Sequence, residues 1–166
     1  MATEMKTHTH TFNYQVFEIE TDLILPDREL LHLAREAVLT SHAPYSKYHV
    51  GASVRLSNGK IFTGSNQENI SFPVGLCAER VAVFSAMSAY PGVAIESIAI
   101  TAIADEFEVS EPVPPCGMCR QAVLEFEMKF KNTIRLILGG HSGKVFIIEG
   151  MRNLLPLAFQ EKGLVK

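Results

Sequence analysis

The chain has 166 residues, 47% of them hydrophobic and 20% charged, with a formal net charge of −3. That is the size of one ordinary domain with enough apolar content for a real core. The balance lacks the basic excess of a nucleic-acid-binding surface, and no apolar run reaches the roughly 18–20 residues needed to span a bilayer.

The N-terminal MATEMKTHTHTFN is polar and has no apolar core of a signal peptide. Residues 1–11 read as a solvated tail, in which His8 and His10 alternate with threonine. Residues 12–25 place Phe12, Tyr14, Val16, Phe17 and Ile19 irregularly, which fits an added strand or edge segment. Pro26 can open a helix, because its missing N–H falls among donors that are unpaired there anyway. Leu30, Leu33, Ala34, Ala37 and Val38 then form one helical stripe, which Pro44 is expected to stop. His32 and His42 belong to that helix or its end and read as structural or surface residues.

Residues 48–56 and 60–66 are strands flanking Ser57-Asn58-Gly59, a strong hairpin signal. A helix follows from about Cys77 to Ala89, ended by Pro91-Gly92. ESIAITAIAD is the near-continuous apolar run of a buried central strand. GMCRQAVLEFEMKF is an amphipathic helix, TIRLILGG and HSGKVFIIEG are strands, and MRNLLPLAF holds a short helix. This alternation implies an α/β layered domain around a mixed sheet. No repeat, low-complexity segment or linker divides it, so one domain is expected.

Three cysteines are too few for a disulfide scaffold, so the thiols are expected to be reduced and the protein cytoplasmic. Cys116 and Cys119 lie in PPCGMCRQ, a C-x-x-C pair opening a helix. Such a pair reads either as a redox couple or as half of a metal site. Cys77, in VGLCAER, also stands before a helix, so three thiols can converge from two helix N-termini. Zinc suits them: it prefers soft S and N ligands, and three protein ligands leave a fourth position for water. His49 and His141 remain as fourth-ligand candidates, but each is better explained as a strand or turn residue. Open zinc sites lower the pKa of bound water toward about 7. Three thiolates weaken that effect, and helix N-termini offset it. Arg80 and Arg120, each directly after a ligand motif, are expected partners to sulfur. Glu79 can reach the metal's water without ligating zinc, take its proton and pass it to a substrate nitrogen.

With these residues in place, CAER followed by PCGMCRQ resembles the zinc nucleobase deaminases. In its Cys-first form it is similar to the small cytidine deaminases that act on free nucleosides. APYSKYHVGA, NQEN, FPVGLCAER, PCGMCRQ and NLLP carry the resemblance from about Pro44 to Phe159. It implies a three-layer α-β-α sandwich around a five-stranded mixed sheet, with residues 26–166 as one catalytic domain behind an N-terminal extension at 1–25. It implies one Zn²⁺ per subunit on Cys77, Cys116 and Cys119, with Glu79 shuttling protons as zinc-bound hydroxide attacks C4 of the pyrimidine. It assigns Asn66 and Glu68 to the ribose, chiefly its 3′-hydroxyl, and the backbone of Ala78 to the base. Tyr48 and Val50 would line the pocket. Phe72 and Phe159 would be presented across subunit boundaries of a homotetramer with shared active sites.

This chain departs from the pattern at Tyr48, where phenylalanine is commoner, at Phe72, which replaces a tyrosine, and at Asn153, where ELLP becomes NLLP. The expected reaction is hydrolytic deamination of cytidine and 2′-deoxycytidine in pyrimidine salvage, with no nucleic-acid or membrane partner. A related aminated nucleoside or nucleoside antibiotic is the alternative substrate. A non-catalytic zinc-stabilised module is the alternative class, and it would have no need of Glu79.

Overall fold

A computed structural model of the chain describes residues 5–160. The tail expected at residues 1–11 lies partly outside that range, and its residues 5–11 are exposed. The elements in chain order are β1 (Gln15–Phe17), α1 (Leu25–Val38), β2 (Tyr48–Leu56), β3 (Ile61–Ser65), α2 (Ala78–Ala89), β4 (Ile95–Ala104), α3 (Gly117–Phe130), β5 (Arg135–Gly139) and β6 (Val145–Glu149). They form one sheet in the order β1-β6-β5-β4-β2-β3. Only β4 and β5 are parallel, and α3 is the crossover that a parallel pair requires.

Side chains on a strand alternate faces, and β4 and β5 show what each face buries. Ile98, Ile100, Leu136 and Leu138 pack with Ala82, Val83 and Ala86 of α2 and Val123 and Leu124 of α3. Ala99 and Ile137, one residue out of step, pack with Leu30, Leu31 and Ala34 of α1. The expected three layers are therefore present, with α1 alone on one face and α2 and α3 together on the other.

The sheet has six strands where five were expected. The sixth is β1, whose residues 15–17 pair antiparallel with residues 145–147 of β6. The extension is fastened further by Phe17 against the α1 cluster and by an Arg35–Glu20 ion pair. A second difference lies at the end of α1. The helix stops at Val38, well before Pro44, because Thr40 and Ser41 turn their hydroxyls to other partners. Thr40 Oγ1 donates to the Ala37 carbonyl at 2.9 Å, and Ser41 Oγ lies 2.6 Å from His49 Nδ1. His42 is therefore outside the helix. Its backbone bridges to the strand exit, accepting from Glu68 N–H at 2.8 Å and donating to the Asn66 carbonyl at 2.9 Å.

Two glycines allow the helices to approach this closely. A Cβ at Gly51 would stand 2.0 Å from the Ala34 carbonyl oxygen of α1, and one at Gly64 would stand 2.5 Å from Ala82 N of α2. Gly64 thus sets how near β3 the first turn of α2 can lie. No helix among the described residues is long and apolar enough to cross a membrane.

Gly64→Ala forces backbone against backbone, so it should cost about 1–3 kcal/mol of stability. Gly92→Ala is the control, since nothing lies within 4 Å of a Cβ there. Urea midpoints of the two variants should separate accordingly, and equal midpoints would remove the steric role of Gly64.

Candidate metal centre and active site

Cys77 is the residue that caps α2, and Cys116 caps α3; both have extended backbones, with φ/ψ of −72/152° and −67/166°. Cys119 follows in the first turn of α3, where a side chain three residues on returns to the same side of the helix. The result is a cluster built from two helix starts. Cys77 and Cys116 sulfurs are 3.8 Å apart, and Cys116 and Cys119 sulfurs 3.6 Å. All three lie within 4.8 Å of one another. Tetrahedral zinc with Zn–S near 2.3 Å requires S···S separations of about 3.8 Å. The donor set fits zinc in both spacing and softness.

The protons on these thiols are unequally held. Cys77 is lowered to about 5, first by a hydrogen bond from Cys119 and then by Arg80, against the effect of burial. Arg80 Nη2 lies 3.9 Å from Cys77 Sγ. Cys119 is pushed far above its ordinary value by the same bond to Cys77, by burial and by the Glu79 charge. The metal-free protein thus favours loss of the Cys77 proton and retention of that of Cys119, and a dication would compete with the protons that remain.

Glu79 stands two residues beyond Cys77 in the first turn of α2 and is only 4% exposed. Burial, with the Cys77 charge added, raises its carboxyl above the ordinary range. It lines a cavity of about 700 Å³ that also touches Cys77, Cys116 and Arg80. A carboxyl so placed is suited to hold a proton and release it next to the thiols.

On the far wall of the cavity, Asn66 uses its amide on the neighbouring strand. Its Oδ1 accepts from Val50 N at 2.8 Å and its Nδ2 donates to the Tyr48 carbonyl at 2.8 Å. Glu68 accepts at one oxygen from the N–H groups of Tyr45 at 2.9 Å and Ser46 at 3.3 Å. The Ser46 hydroxyl, and then these N–H groups, hold its carboxyl below the usual range. Tyr48 and Val50 line the same space, and the Tyr48 ring stacks on Phe107 with centroids 6.1 Å apart.

The structure gathers most, but not all, of the residues named from the sequence. Ala78 is fully buried at the first position of α2, where backbone N–H groups have no partner within the helix. Phe72 lines the cavity of its own chain and meets Tyr45 edge-on. Phe159 lies outside the cavity and is 73% exposed. Arg120 makes no bond to sulfur: its Nε donates to the Pro115 carbonyl at 2.8 Å and its Nη1 to the Leu154 carbonyl at 2.9 Å. His49 is occupied by Ser41 and by Asp105 at 3.2 Å, and neither it nor His141 belongs to the cluster. The fourth metal position is left open among the described residues. Tyr45, Met118, Val113 and Pro114 also line the cavity and were not singled out from the sequence. Met118 had a usable signal, because it stands between two ligands on a first helical turn.

Residues 25–134 match the family model described as the cytidine and deoxycytidylate deaminase zinc-binding region. A cytidine deaminase of Halalkalibacterium halodurans is 35% identical over 136 residues, covering 80% of this chain and 94% of the relative. The crystal structure of cytidine deaminase from Burkholderia pseudomallei is 36% identical and superposes with a TM-score of 0.69, covering 79% of this chain and 97% of that one. Cytidine deaminase from Mycobacterium tuberculosis follows at 28% identity and a TM-score of 0.61, covering 80% and 96%.

Zinc added to the metal-free protein at neutral pH should release at least one proton per ion, that of Cys119. Affinity should fall as pH falls, since protons compete for sulfur. Calorimetry in buffers of different ionisation enthalpy measures this release, and buffer-independent heats would contradict it.

Proposed function

The chain belongs to the zinc-binding cytidine and deoxycytidylate deaminase family, and from that membership we propose that it hydrolyses free cytidine and 2′-deoxycytidine to the uridines and ammonia, in pyrimidine salvage. The observation that carries this reading is the buried Glu79 carboxyl beside three thiols at tetrahedral spacing, on a cavity whose other wall holds Asn66 and Glu68. When bound by Cys77, Cys116 and Cys119, one Zn²⁺ per chain supplies an acidified water as nucleophile.

The protein's own groups do the rest. Glu79 takes a proton from the attacking water at its carboxylate and delivers it to ring N3. It then takes the proton of the new C4 hydroxyl and passes it to the exocyclic nitrogen, so that the C4–N bond breaks, ammonia leaves and the C4 carbonyl of the uridine forms. The raised affinity of its carboxyl for a proton suits both transfers. Arg80 donates toward Cys77 sulfur and draws off part of the negative charge that three thiolates place on the metal.

Glu68 keeps one carboxylate oxygen free of backbone bonds, and this oxygen suits a ribose hydroxyl. Asn66 joins it at the sugar and, through its bonds to Tyr48 and Val50, shapes the wall that meets the base. The Ala78 backbone contacts the base, and Phe72 closes one side. Arg80 is the only cation among the described residues lining the cavity, and it is engaged with sulfur. That absence of a phosphate partner favours free nucleosides over nucleotides. A purely structural zinc module would have no use for a buried carboxyl on an open cavity.

Uncovered apolar side chains support an assembly: Ile70, Phe72, Val74, Met118, Leu157 and Phe159 are all exposed, and of these Phe72 and Met118 line the cavity. In this reading the protein is a cytoplasmic homotetramer with shared sites. Phe159 serves a neighbour's nucleoside, and residues 1–25 are an extension of a single domain at 26–166.

Glu79→Ala should keep about one zinc per chain and lose about a thousandfold or more of turnover. Loss of ultraviolet absorbance and ammonia release on a nucleoside panel, with metal content from the same sample, measures both. Undiminished turnover in the variant would end the role of Glu79, and an inert parent protein would end the functional reading.

A further inference from the structure

The two residues that follow Cys119 both reach the end of the chain. Arg120 bonds the Leu154 carbonyl, and Gln121 goes further along the same segment. Its Nε2 donates to the Phe159 carbonyl at 3.0 Å, and its Oε1 accepts from Phe159 N–H at 3.1 Å. One primary amide thus satisfies both backbone groups of one residue, as a facing strand residue would in an antiparallel ladder. The bonded segment has no regular secondary structure of its own.

Phe159's ring is left out of this arrangement. It is 73% exposed and does not enter its own chain's cavity. Its backbone is fixed while its side chain stays free, which means that the ordering entropy of the segment is spent before any partner arrives.

We propose that Gln121 is a positioning residue for nucleoside binding, which locks the C-terminal segment so that the Phe159 ring meets a nucleoside in a neighbouring copy. This rests on the reading above in which Phe159 acts across a subunit boundary. Gln121 and Cys119 share one turn of α3, so the ring that serves one site is referenced to the metal helix of another. Stacking helps bound substrate and transition state alike, so loss of placement appears in KM more than in kcat.

The test uses the full-length zinc-loaded protein with cytidine. Gln121→Ala should raise KM about tenfold, as the loss of two neutral hydrogen bonds implies, with kcat within about twofold and zinc content unchanged. Gln121→Glu keeps the acceptor and loses the donor, so it should fall between; it also serves if the alanine variant fails to fold. Phe159→Ala should raise KM, and the double variant Gln121→Ala/Phe159→Ala should be no worse than Phe159→Ala alone. If Phe159→Ala raises KM and both Gln121 variants leave it unchanged, the positioning role is overturned. Additive effects in the double variant overturn it as well. If Phe159→Ala leaves KM unchanged, the cross-subunit reading itself is wrong.

Discussion

Two helices begin at one point on the same face of the sheet, and everything chemical about this protein depends on that meeting. Helix N-termini carry partial positive charge and unpaired N–H groups, so bringing two together is unfavourable without negative charge between them. Cys77 and Cys116 stand at the two capping positions, with Cys119 one turn in, and their sulfurs supply that charge. The sheet makes the meeting possible. α3 must cross over between parallel β4 and β5, and Gly64 lets α2 settle against β3. The metal's ligands are therefore set by the same contacts that build the core.

The two carboxylates of the cavity show how environment divides labour. Glu79 is enclosed, and exclusion from water favours its protonated form. Glu68 is only half-buried, and donors favour its charged form. The same chemical group is biased toward holding a proton in one place and toward keeping its charge in the other, the divergence expected of paired carboxylates at a functional site. Neither shift needs a special residue type. Each follows from where the backbone puts the side chain.

Much of this was legible in residue order because the informative signals are local. The Asn58-Gly59 hairpin, the apolar run of β4 and the starts of α2 and α3 all appear close to where they were expected. The thiol cluster was legible because C-x-x-C and C-A-E-R each fix a side chain against a helix start. What escaped was decided at a distance. An added edge strand was expected within residues 12–25, but not that it is only three residues long or that its partner is β6, more than a hundred residues later. Arg120 looked like a partner to sulfur by its spacing, yet it points to a carbonyl supplied by the far end of the chain. The amide of Asn66 bonds Val50 N–H and the Tyr48 carbonyl of β2, partners that its place in NQEN does not reveal. The end of α1 at Val38 was hidden because Pro44 is the louder signal and two hydroxyls act first.

The six-stranded sheet has a consequence for how the molecule behaves in a crowded solution. A sheet's last strand is a template on which another chain can pair. Without the extension that template would be β6, five residues long and carrying Val145, Phe146, Ile147 and Ile148 in succession. β1 occupies it and leaves only three residues as the new margin, followed by Glu18 and Glu20. A short border next to acidic residues is a poor seed for further strands. The N-terminal segment thus replaces a five-residue apolar edge by a three-residue one, while β3 remains the margin at the other end of the sheet.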